Sequence, residues 1–456
     1  MSGIVNGTAY KLLKDYSEGT VGFPHVLRLR VVIANTAFQF PHSRDIAISN
    51  TLEFAQLLKL LTPKATATNI MCSRNNMAMP EDYEDSLGVV LEDIFRMLVG
   101  SLHSEREHPE LDLVYYRLRH APTVDCIPQL FSLKLGCWDT PSLNLSLVHK
   151  SASTLHYLTI RIRDANTLLY DSNGDPIVYP NLRCLQMNSG IRSKPHPNIT
   201  AATCIPFPVL KTLRLKSLYP FTNDIIFRGN SGTLEYLEFH IDKDTVNMLN
   251  SARVFENKHK VLQNVTVAKI SDNDNNPLES GADMNIFFSN LASNAQVLKL
   301  STPLLFEAMM ATAQHRHGFN HIQVLTVGSN CLSLFNVLSL LKVLPNLIDL
   351  TCVIDRLGTE LEHIDTAILP DYIVATYGGI GRYLKSWTNT GYTNLRNSEE
   401  VIKYIMLLTL VCPRLHRLGV VNHIIPILKR IVGTALESNP FNKYAVRLGL
   451  LVDFVR

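Results

Sequence analysis

The chain has 456 residues, of which 46% are hydrophobic and 18% are charged, and its formal net charge is +3 at pH 7. This composition excludes a disordered protein, and a charge this small, without any run of Lys and Arg, does not favour nucleic acid or an anionic membrane as a partner. The first residues lack the apolar core of a signal peptide, and the most apolar stretch, YIMLLTLVCP (404–413), is about half as long as a bilayer span.

The eight cysteines show no C-x-x-C motif and no regular pairing. Several of them replace Leu or Val in apolar patterns, as Cys352 does in LIDLTC. A reduced, buried thiol behaves as a small hydrophobic side chain and is typical of a reducing compartment. We therefore expect an intracellular protein, cytoplasmic or nuclear.

The chain divides by pattern into three parts. Residues 1–22 are an N-terminal extension, and residues 23–125 hold irregular N-terminal repeats, with apolar pieces such as FPHVLRLRVVI (23–33) and ATNIMCS (67–73). Residues 126–456 form the main array. Within this array the spacing predicts a degraded repeat around 353–410, with Leu384 near its midpoint.

The array repeats one motif, a proline followed after one residue by L-x-x-L-x-apolar. Five copies are IPQLFSLKL (127–135), YPNLRCLQM (179–187), FPVLKTLRL (207–215), LPNLIDLTC (344–352) and CPRLHRLGV (412–420). Five more lack the proline: TLHYLTI (154–160), TLEYLEF (233–239), VLQNVTV (261–267), NAQVLKL (294–300) and HIQVLTV (321–327). Apart from a gap of 68 residues after Leu350, the middle apolar residues lie 24 to 33 apart, which is typical of a leucine-rich-repeat solenoid.

One column of this alignment is polar throughout. The residue between the last two apolar positions must point to the opposite face of a short strand. That column reads Lys134, Thr159, Gln186, Arg214, Glu238, Thr266, Lys299, Thr326, Thr351 and Gly419. The strands are therefore expected to be half buried, with the proline at the strand entrance, where it need not donate a hydrogen bond.

Between the strands the apolar pattern becomes helical. Thr302 and Pro303 predict a capped helix over PLLFEAMMATAQ, and Leu334, Leu338 and Leu341 share one face of the next helix. Strand followed by helix predicts an α/β fold: an irregular leucine-rich-repeat horseshoe with its parallel sheet on the concave face and helices outside. A hairpin with Asn173-Gly174 at its turn is expected in TLLYDSNGDPIVYP (167–180). At the carboxyl end, Leu448 is expected to belong to a last strand.

Motifs of metal and nucleotide chemistry are weak. HRHGFNH (315–321) indicates a surface connector rather than a zinc site, and DNDNNPLESGAD (272–283) has Pro277 where a calcium loop needs Gly. YGGIGRY (377–383) lacks the third Gly of a dinucleotide site and is expected to be a turn. We therefore expect no catalytic residues, no cofactor and no metal site, although a dispersed catalytic site would leave no local motif.

The repeated strands, together with NSEEVIKYIMLLTLVCPRLHRL and LPDYIVATYGGIGRYLKSW, resemble fungal F-box/leucine-rich-repeat-type proteins over roughly residues 20–456. Members that carry an F-box place a helical domain before the repeats, which docks to a cullin-type ubiquitin ligase. Here about 22 residues precede FPHVLRLRVV, and none reads as the F-box motif L-P-x-E-[IL]. The resemblance implies target binding and leaves ubiquitin transfer without its docking module.

The expected function is a non-enzymatic protein-interaction scaffold that binds a protein partner, with no nucleic acid and no membrane involved. Two alternatives stay open: a ubiquitin-ligase substrate receptor whose F-box lies upstream of this sequence, and a hydrolase with a dispersed site. The candidate partner-binding residues are Lys134, Tyr157, Thr159, Gln186, Arg214, Tyr236, Glu238 and Lys299. The loops 163–178 and 271–282 are the alternative recognition elements.

Overall fold

A computed structural model describes part of the chain. The described residues are 28–33, 67–72, 109–114, 129–136, 142–162, 166–171, 173–189, 206–216, 233–241, 264–272, 288, 294–315, 319–356, 358–365, 368–389, 398–420, 426 and 452–454. They fall into two compact units, Met1–Thr233 and Leu234–Arg456. Each unit is α/β, with parallel strands that follow one another in chain order.

The first unit holds seven of the described strands. They are β1 (Arg28–Ile33), β2 (Ala67–Cys72), β3 (Glu110–Val114), β4 (Ser132–Leu135), β5 (Tyr157–Ile162), β6 (Cys184–Ser189) and β7 (Thr212–Lys216). Each strand pairs in parallel with the next one. Helix α1 (Ser142–Lys150) connects β4 to β5, and the one-turn helix α2 (Asn166–Leu169) follows β5.

The second unit holds the other eight described strands. They are β8 (Tyr236–Ile241), β9 (Val267–Asp272), β10 (Val297–Leu300), β11 (Val324–Ser333), β12 (Asp349–Arg356), β13 (Ser386–Asn389), β14 (Arg417–Val420) and β15 (Val452–Phe454). The described helices between them are α3 (Pro303–His315), α4 (Leu334–Val343), α5 (Thr359–Glu362), α6 (Leu369–Tyr377) and α7 (Ser398–Val411).

A layer of leucines in cross-strand register forms the core of each unit. In the first unit Leu133, Leu158, Leu185 and Leu213 are directly paired and at most 1% exposed. In the second unit the same position is held by buried Leu237, Leu298, Leu325 and Leu350. The predicted burial of these leucines and the parallel pairing of their strands are confirmed within each unit. Burying one such side chain contributes about 1.5–3 kcal/mol.

A second buried position lies three residues before each of these leucines. Leu130, Leu155, Leu182 and Leu210 occupy it in the first unit, and all four are fully buried. The backbone continues the ladder through this turn: His156 donates its N–H to Phe131 O at 2.8 Å, and Arg183 donates to His156 O at 2.9 Å. The turn before each strand is therefore already in register with the turn before the preceding strand.

Asparagine side chains also tie neighbouring turns together. Asn181 donates its Nδ2 to Ser153 O at 2.7 Å, and Asn346 donates to Asn320 O at 2.8 Å. Both asparagines directly follow the motif's proline. Each side-chain amide thus links two neighbouring turns at the strand entrance, where the proline has no backbone N–H to donate.

The sequence register is wrong in two places. In VLQNVTV the sequence pattern predicts Val265 as the middle apolar residue, but Ala268 takes that place, paired with Leu237 and Leu298. Val265 is instead the buried residue three positions earlier. At the carboxyl end, Val452 rather than Leu448 pairs with Leu418. The two errors have the same cause. Ala268 and Val452 stand where the motif expects Leu, and a nearby apolar residue fits the motif in their place.

Strand β13 lies within the 68-residue gap between Leu350 and Leu418. Trp387 pairs with both of these leucines and is fully buried, and Leu384 lies buried three residues before it. The Trp387 ring packs edge-on against Tyr404 of helix α7, with a centroid distance of 6.2 Å. A large aromatic side chain thus occupies the leucine position of β13, and this strand pairs in parallel with the strands that precede and follow the gap.

Two local predictions have different outcomes. Gly174 has φ +85°, and Tyr170 bridges antiparallel to Pro176, so the predicted turn at Asn173-Gly174 is confirmed. Helix α3 begins at Pro303 as expected, but the Thr302 hydroxyl is buried without a hydrogen bond, so its predicted capping role is wrong. The helix-face prediction for Leu334, Leu338 and Leu341 is confirmed, since all three are buried on α4.

We expect the substitution Leu213→Asp to unfold several strands of the first unit. A carboxylate in this fully buried position has no partner, and burying it costs several kcal/mol, a large share of the stability of an ordinary domain. Urea unfolding followed by circular dichroism, with limited trypsin digestion at Lys211 and Arg214, measures the loss. Thr212→Asp, which places the same charge on the opposite strand face, is the control. Equal trypsin resistance of the two variants would contradict the leucine layer.

Candidate functional site

The strand face opposite the leucine layer is the candidate site, since alternate residues of a strand point to opposite faces. In the first unit its middle row, named the polar row of unit one, is continuous across seven strands. It consists of Arg30, Asn69, Asp112, Lys134, Thr159, Gln186 and Arg214. The four residues expected from the sequence in this unit are brought side by side, and all seven are exposed or half-buried.

Three members of this row were missed by sequence reasoning: Arg30, Asn69 and Asp112. The leucine position of β1, β2 and β3 is held by Leu29, Thr68 and Leu111, which lie 39 and 43 residues apart in the sequence. Thr68 stands where the motif expects leucine, so no periodic pattern marks these strands. The signal that was present is the alternation itself, visible in RLRVVI and ELDLV.

Asp112 organises the charges at one end of the polar row. Its Oδ2 accepts a hydrogen bond from Asn69 Nδ2 at 2.8 Å and another from Lys134 Nζ at 2.9 Å. One row over, Arg28 forms a longer ion pair of 3.7 Å with Glu110. Both acidic side chains of this face on the first three strands are therefore paired with cations.

An aromatic cluster borders the same face where β4 and β5 begin. The Phe131 ring stacks on His156 at a centroid distance of 4.3 Å and tilts against Tyr157 at 5.4 Å. Tyr157 is 46% exposed, which makes it one of the most exposed large apolar side chains among the described residues. A ring held in place by its neighbours loses little conformational entropy on binding, which is why such aromatic residues are enriched at binding hot spots.

The second unit has its own middle row, named the polar row of unit two. It consists of Glu238, Lys269, Lys299, Thr326, Thr351, Thr388 and Gly419. Thr266, which the sequence placed in this row, lies before β9 and donates its hydroxyl to Glu235 O at 3.2 Å. Lys269 takes its position, because Ala268 is the buried residue of this strand.

The two charged side chains of β8 and β9 are linked through a tyrosine. Tyr236 donates its hydroxyl to Glu238 Oε2 at 3.0 Å, and Lys269 Nζ lies 5.4 Å from the centroid of the Tyr236 ring. Tyr236 is half-buried, in contrast to Tyr157. The Tyr236 hydroxyl and ring already contact Glu238 and Lys269, so this side chain holds Glu238 in place rather than serving as an exposed anchor for a partner.

The candidate residues form two groups. Lys134, Tyr157, Thr159, Gln186 and Arg214 belong to the first unit, whereas Tyr236, Glu238 and Lys299 belong to the second. Of the alternative recognition loops, the part described is the turn around Gly174, where Asp171 Oδ1 accepts the N–H groups of Asn173 and Asp175, together with residues 271–272. Each unit presents its own polar row.

The structure describes parts of the three segments whose metal-binding or nucleotide-binding motifs are weak. In YGGIGRY, Gly379 has φ +79°, and Ile380 N–H bonds to Tyr377 O, so this segment is a turn after α6, as expected. In HRHGFNH, His321 is exposed and His317 lies outside the described residues, as does nearly all of the acidic segment 272–283. Within the described ranges, no three His, Cys, Asp or Glu side chains gather in a way that could hold a metal ion.

No protein-family model matches this chain, and comparison with curated proteins yields no significant match. Among the described residues, no helix combines the length and the apolar character needed to cross a membrane.

Burial suppresses the ionisation of two cysteine thiols, those of Cys352 and Cys412. Desolvation raises the pKa of Cys352 to about 12, against a smaller opposing effect of the neighbouring Trp387 side chain, and raises the pKa of Cys412 to about 12. The thiolate is the nucleophile, and at pH 8 a thiol with such a pKa is ionised in roughly one molecule in ten thousand. Neither thiol therefore supplies a nucleophile at neutral pH.

We expect Cys352 and Cys412 to resist iodoacetamide at pH 8 in the native protein and to react fully in denaturant. Cys184 is the internal comparison, because it is only half-buried and the nearby Arg214 charge partly offsets the rise in its pKa caused by burial. Mass spectrometry of the labelled peptides gives a rate for each cysteine. Labelling of Cys352 or Cys412 as fast as Cys184 would contradict their burial.

Proposed function

We propose that this protein is a non-enzymatic interaction scaffold of the leucine-rich-repeat type, and that it binds a protein partner on the exposed face of its strands. The observation that carries the proposal is the register of the polar rows. Consecutive parallel strands place one outward side chain beside the next, about 4.8 Å apart, while the opposite side chains are locked in a buried layer.

The repeat type is supported by three recurring features. Each array strand of the first unit has a buried apolar residue at the middle position and another three residues earlier, and these strands lie 25 to 28 residues apart. Helices such as α3 and α4 connect strands of the second unit. Amide bridges at Asn181 and Asn346 join successive turns. Under this proposal the strand face is the concave face of a horseshoe.

Rigidity makes such a face suited to binding. The backbone beneath the outward side chains is held by strand pairing, so little backbone entropy is lost when a partner docks. Contacts such as those of Asp112 with Asn69 and Lys134 also hold side chains in place before binding. Affinity then depends on how well the partner's polar groups match the rows, and specificity follows from the same match.

The area of the strand face limits the size of the partner that this face can bind by itself. Six strand spacings and three outward residues per strand cover roughly 400 Å² in the first unit, about half of what one partner buries in a standard protein interface. A globular partner must therefore also contact the loops at the strand ends, or else bind transiently. A peptide segment fits the face without further contacts.

Site-specific photocrosslinking tests the assignment. A photoreactive amino acid replaces Thr159 in the first unit or Thr326 in the second, both half-buried members of the polar rows. Control proteins carry it at Lys150, exposed on α1, or Glu307, exposed on α3. We expect partner proteins in a lysate of the source cells to be cross-linked at the two threonines and not at the helix positions, because the partner covers the strand face.

A substitution experiment provides the second readout. Replacing Gln186, Arg214, Glu238 and Lys299 by Ala should weaken capture of the cross-linked partner at least about tenfold, since truncating a hot-spot residue costs roughly 1 kcal/mol or more. The melting temperature checks that the variant folds. Cross-links at the helix positions alone, with capture unchanged in a folded quadruple variant, would refute the strand-face assignment.

A further inference from the structure

The charges of the first unit are distributed unevenly across its strands. On β4 to β7, ten outward side chains are described: Ser132, Lys134, Tyr157, Thr159, Arg161, Cys184, Gln186, Asn188, Thr212 and Arg214. Three of them are cationic and none is acidic, whereas the whole chain carries nearly equal numbers of basic and acidic residues, 43 and 40. We name Lys134, Arg161 and Arg214, with the polar residues between them, the cationic patch.

The neighbours of the cationic patch define its length. On one side Asp112 and Glu110 of β3 introduce negative charge, and Asp112 is bonded to Lys134. From β4 to β7 three strand spacings span about 14 Å, the length of roughly four extended residues. A ligand that fits this stretch is short, or presents a short run of negative charge.

The uncharged residues within the patch specify what kind of anion it suits. Gln186 and Asn188 on β6 lie between the arginines of β5 and β7, and their amides can both donate and accept hydrogen bonds. An arginine guanidinium binds a carboxylate through two parallel N–H donors. The same arrangement therefore matches carboxylate side chains at the arginines and peptide groups at the amides of β6.

An apolar contact lies next to these polar groups. Tyr157 precedes Thr159 and Arg161 on β5, and its ring is packed against Phe131. The patch thus offers an aromatic surface at the amino end of the strand and positive charge toward the carboxyl end. A phosphate backbone would meet the carboxylates of β3 as it continued past the patch, and it has no hydrogen-bond donor for the carbonyl oxygens of the β6 amides, whereas a peptide has its N–H groups.

We propose that the cationic patch binds an acidic protein segment, with an aromatic residue of that segment against Tyr157 and its carboxylates at Arg161 and Arg214. This identification deepens the proposed function and rests on it, since it names the chemistry of the partner on one of the two strand faces. The partner's negative charge complements the excess positive charge of β4 to β7.

The test uses the full chain and three fluorescent probes. They are a tryptophan followed by six glutamates, the same peptide with six glutamines, and a single-stranded oligothymidine. Fluorescence anisotropy at low salt should give at least about tenfold tighter binding of the glutamate peptide than of the glutamine peptide, and the difference should shrink near 1 M NaCl, where the screening length is about 3 Å. Tighter binding of the oligonucleotide would overturn the proposal in favour of a nucleic-acid partner.

A charge-matched pair of variants separates the patch from general attraction. Arg161→Gln with Arg214→Gln should weaken glutamate-peptide binding about tenfold, since two charge-assisted contacts are lost. Lys150→Gln with Lys211→Gln removes the same charge from two other exposed positions of the first unit and should leave binding within about twofold. Equal losses in both variants would mean long-range attraction only and would overturn the proposal.

Two further variants keep the test decisive. Arg161→Lys with Arg214→Lys keeps the charge and removes the forked donors, so binding should fall between that of the parent and that of the glutamine variant. Tyr157→Ala should weaken the tryptophan-bearing peptide and leave a peptide without tryptophan unchanged. If the glutamate peptide does not bind while photocrosslinking at Thr159 persists, the acidic partner is wrong and the protein-binding function stands.

Discussion

The cross-strand register of the buried leucine layer is the constraint on which the other features depend. Because side chains alternate between faces, placing Leu158, Leu185 and Leu213 in one buried row also places Thr159, Gln186 and Arg214 in one outward row. A slip of a single residue would exchange the two faces, burying charges and exposing leucines. The hydrophobic layer thus determines where the polar groups of the candidate site stand, without any interaction among those polar groups being required.

Register is carried from strand to strand by the turn that precedes each of them. The apolar residue three positions before the leucine is buried, the backbone already pairs there, and Asn181 or Asn346 adds an amide bridge. Proline at this entrance ends the preceding segment without needing a ladder partner. The strands themselves are short, so these entrance contacts supply a large share of the pairing that keeps the rows aligned.

On this rigid base the two units differ in their outward chemistry. The first unit gathers arginine and lysine on β4 to β7, with both acids of β3 engaged by Arg28 and Lys134. In the second unit the row passes from the Tyr236–Glu238–Lys269 cluster through Lys299 to Thr326, Thr351 and Thr388, and these three threonines carry no charge. The mixed signs that the sequence assigned to one column therefore separate into a cationic patch in the first unit and, in the second unit, a row whose charges of both signs lie on β8 to β10.

Much of the candidate site was predictable from local sequence, and the missed residues share a physical reason. The outward residues Lys134, Thr159, Gln186, Arg214, Glu238 and Lys299 were found because apolar residues flank them at the strand period. Lys269 was missed because Ala268 is buried where leucine was expected, and Asn69 because Thr68 takes that place. A packed layer accepts a small side chain at one position when the neighbouring side chains fill the space. The sequence around that position does not show whether they do.

The sequence by itself determined the strand periodicity, the buried leucines and the parallel order of the array strands, since each follows from apolar spacing within one repeat and from the length of the connections. Only the tertiary structure decided which residues stand side by side. Asp112 meets Lys134 from 22 residues away and Asn69 from 43, because strand pairing joins segments whose separation in the chain varies. Such contacts depend on register between repeats, and register is a property of the assembled layer rather than of any one motif.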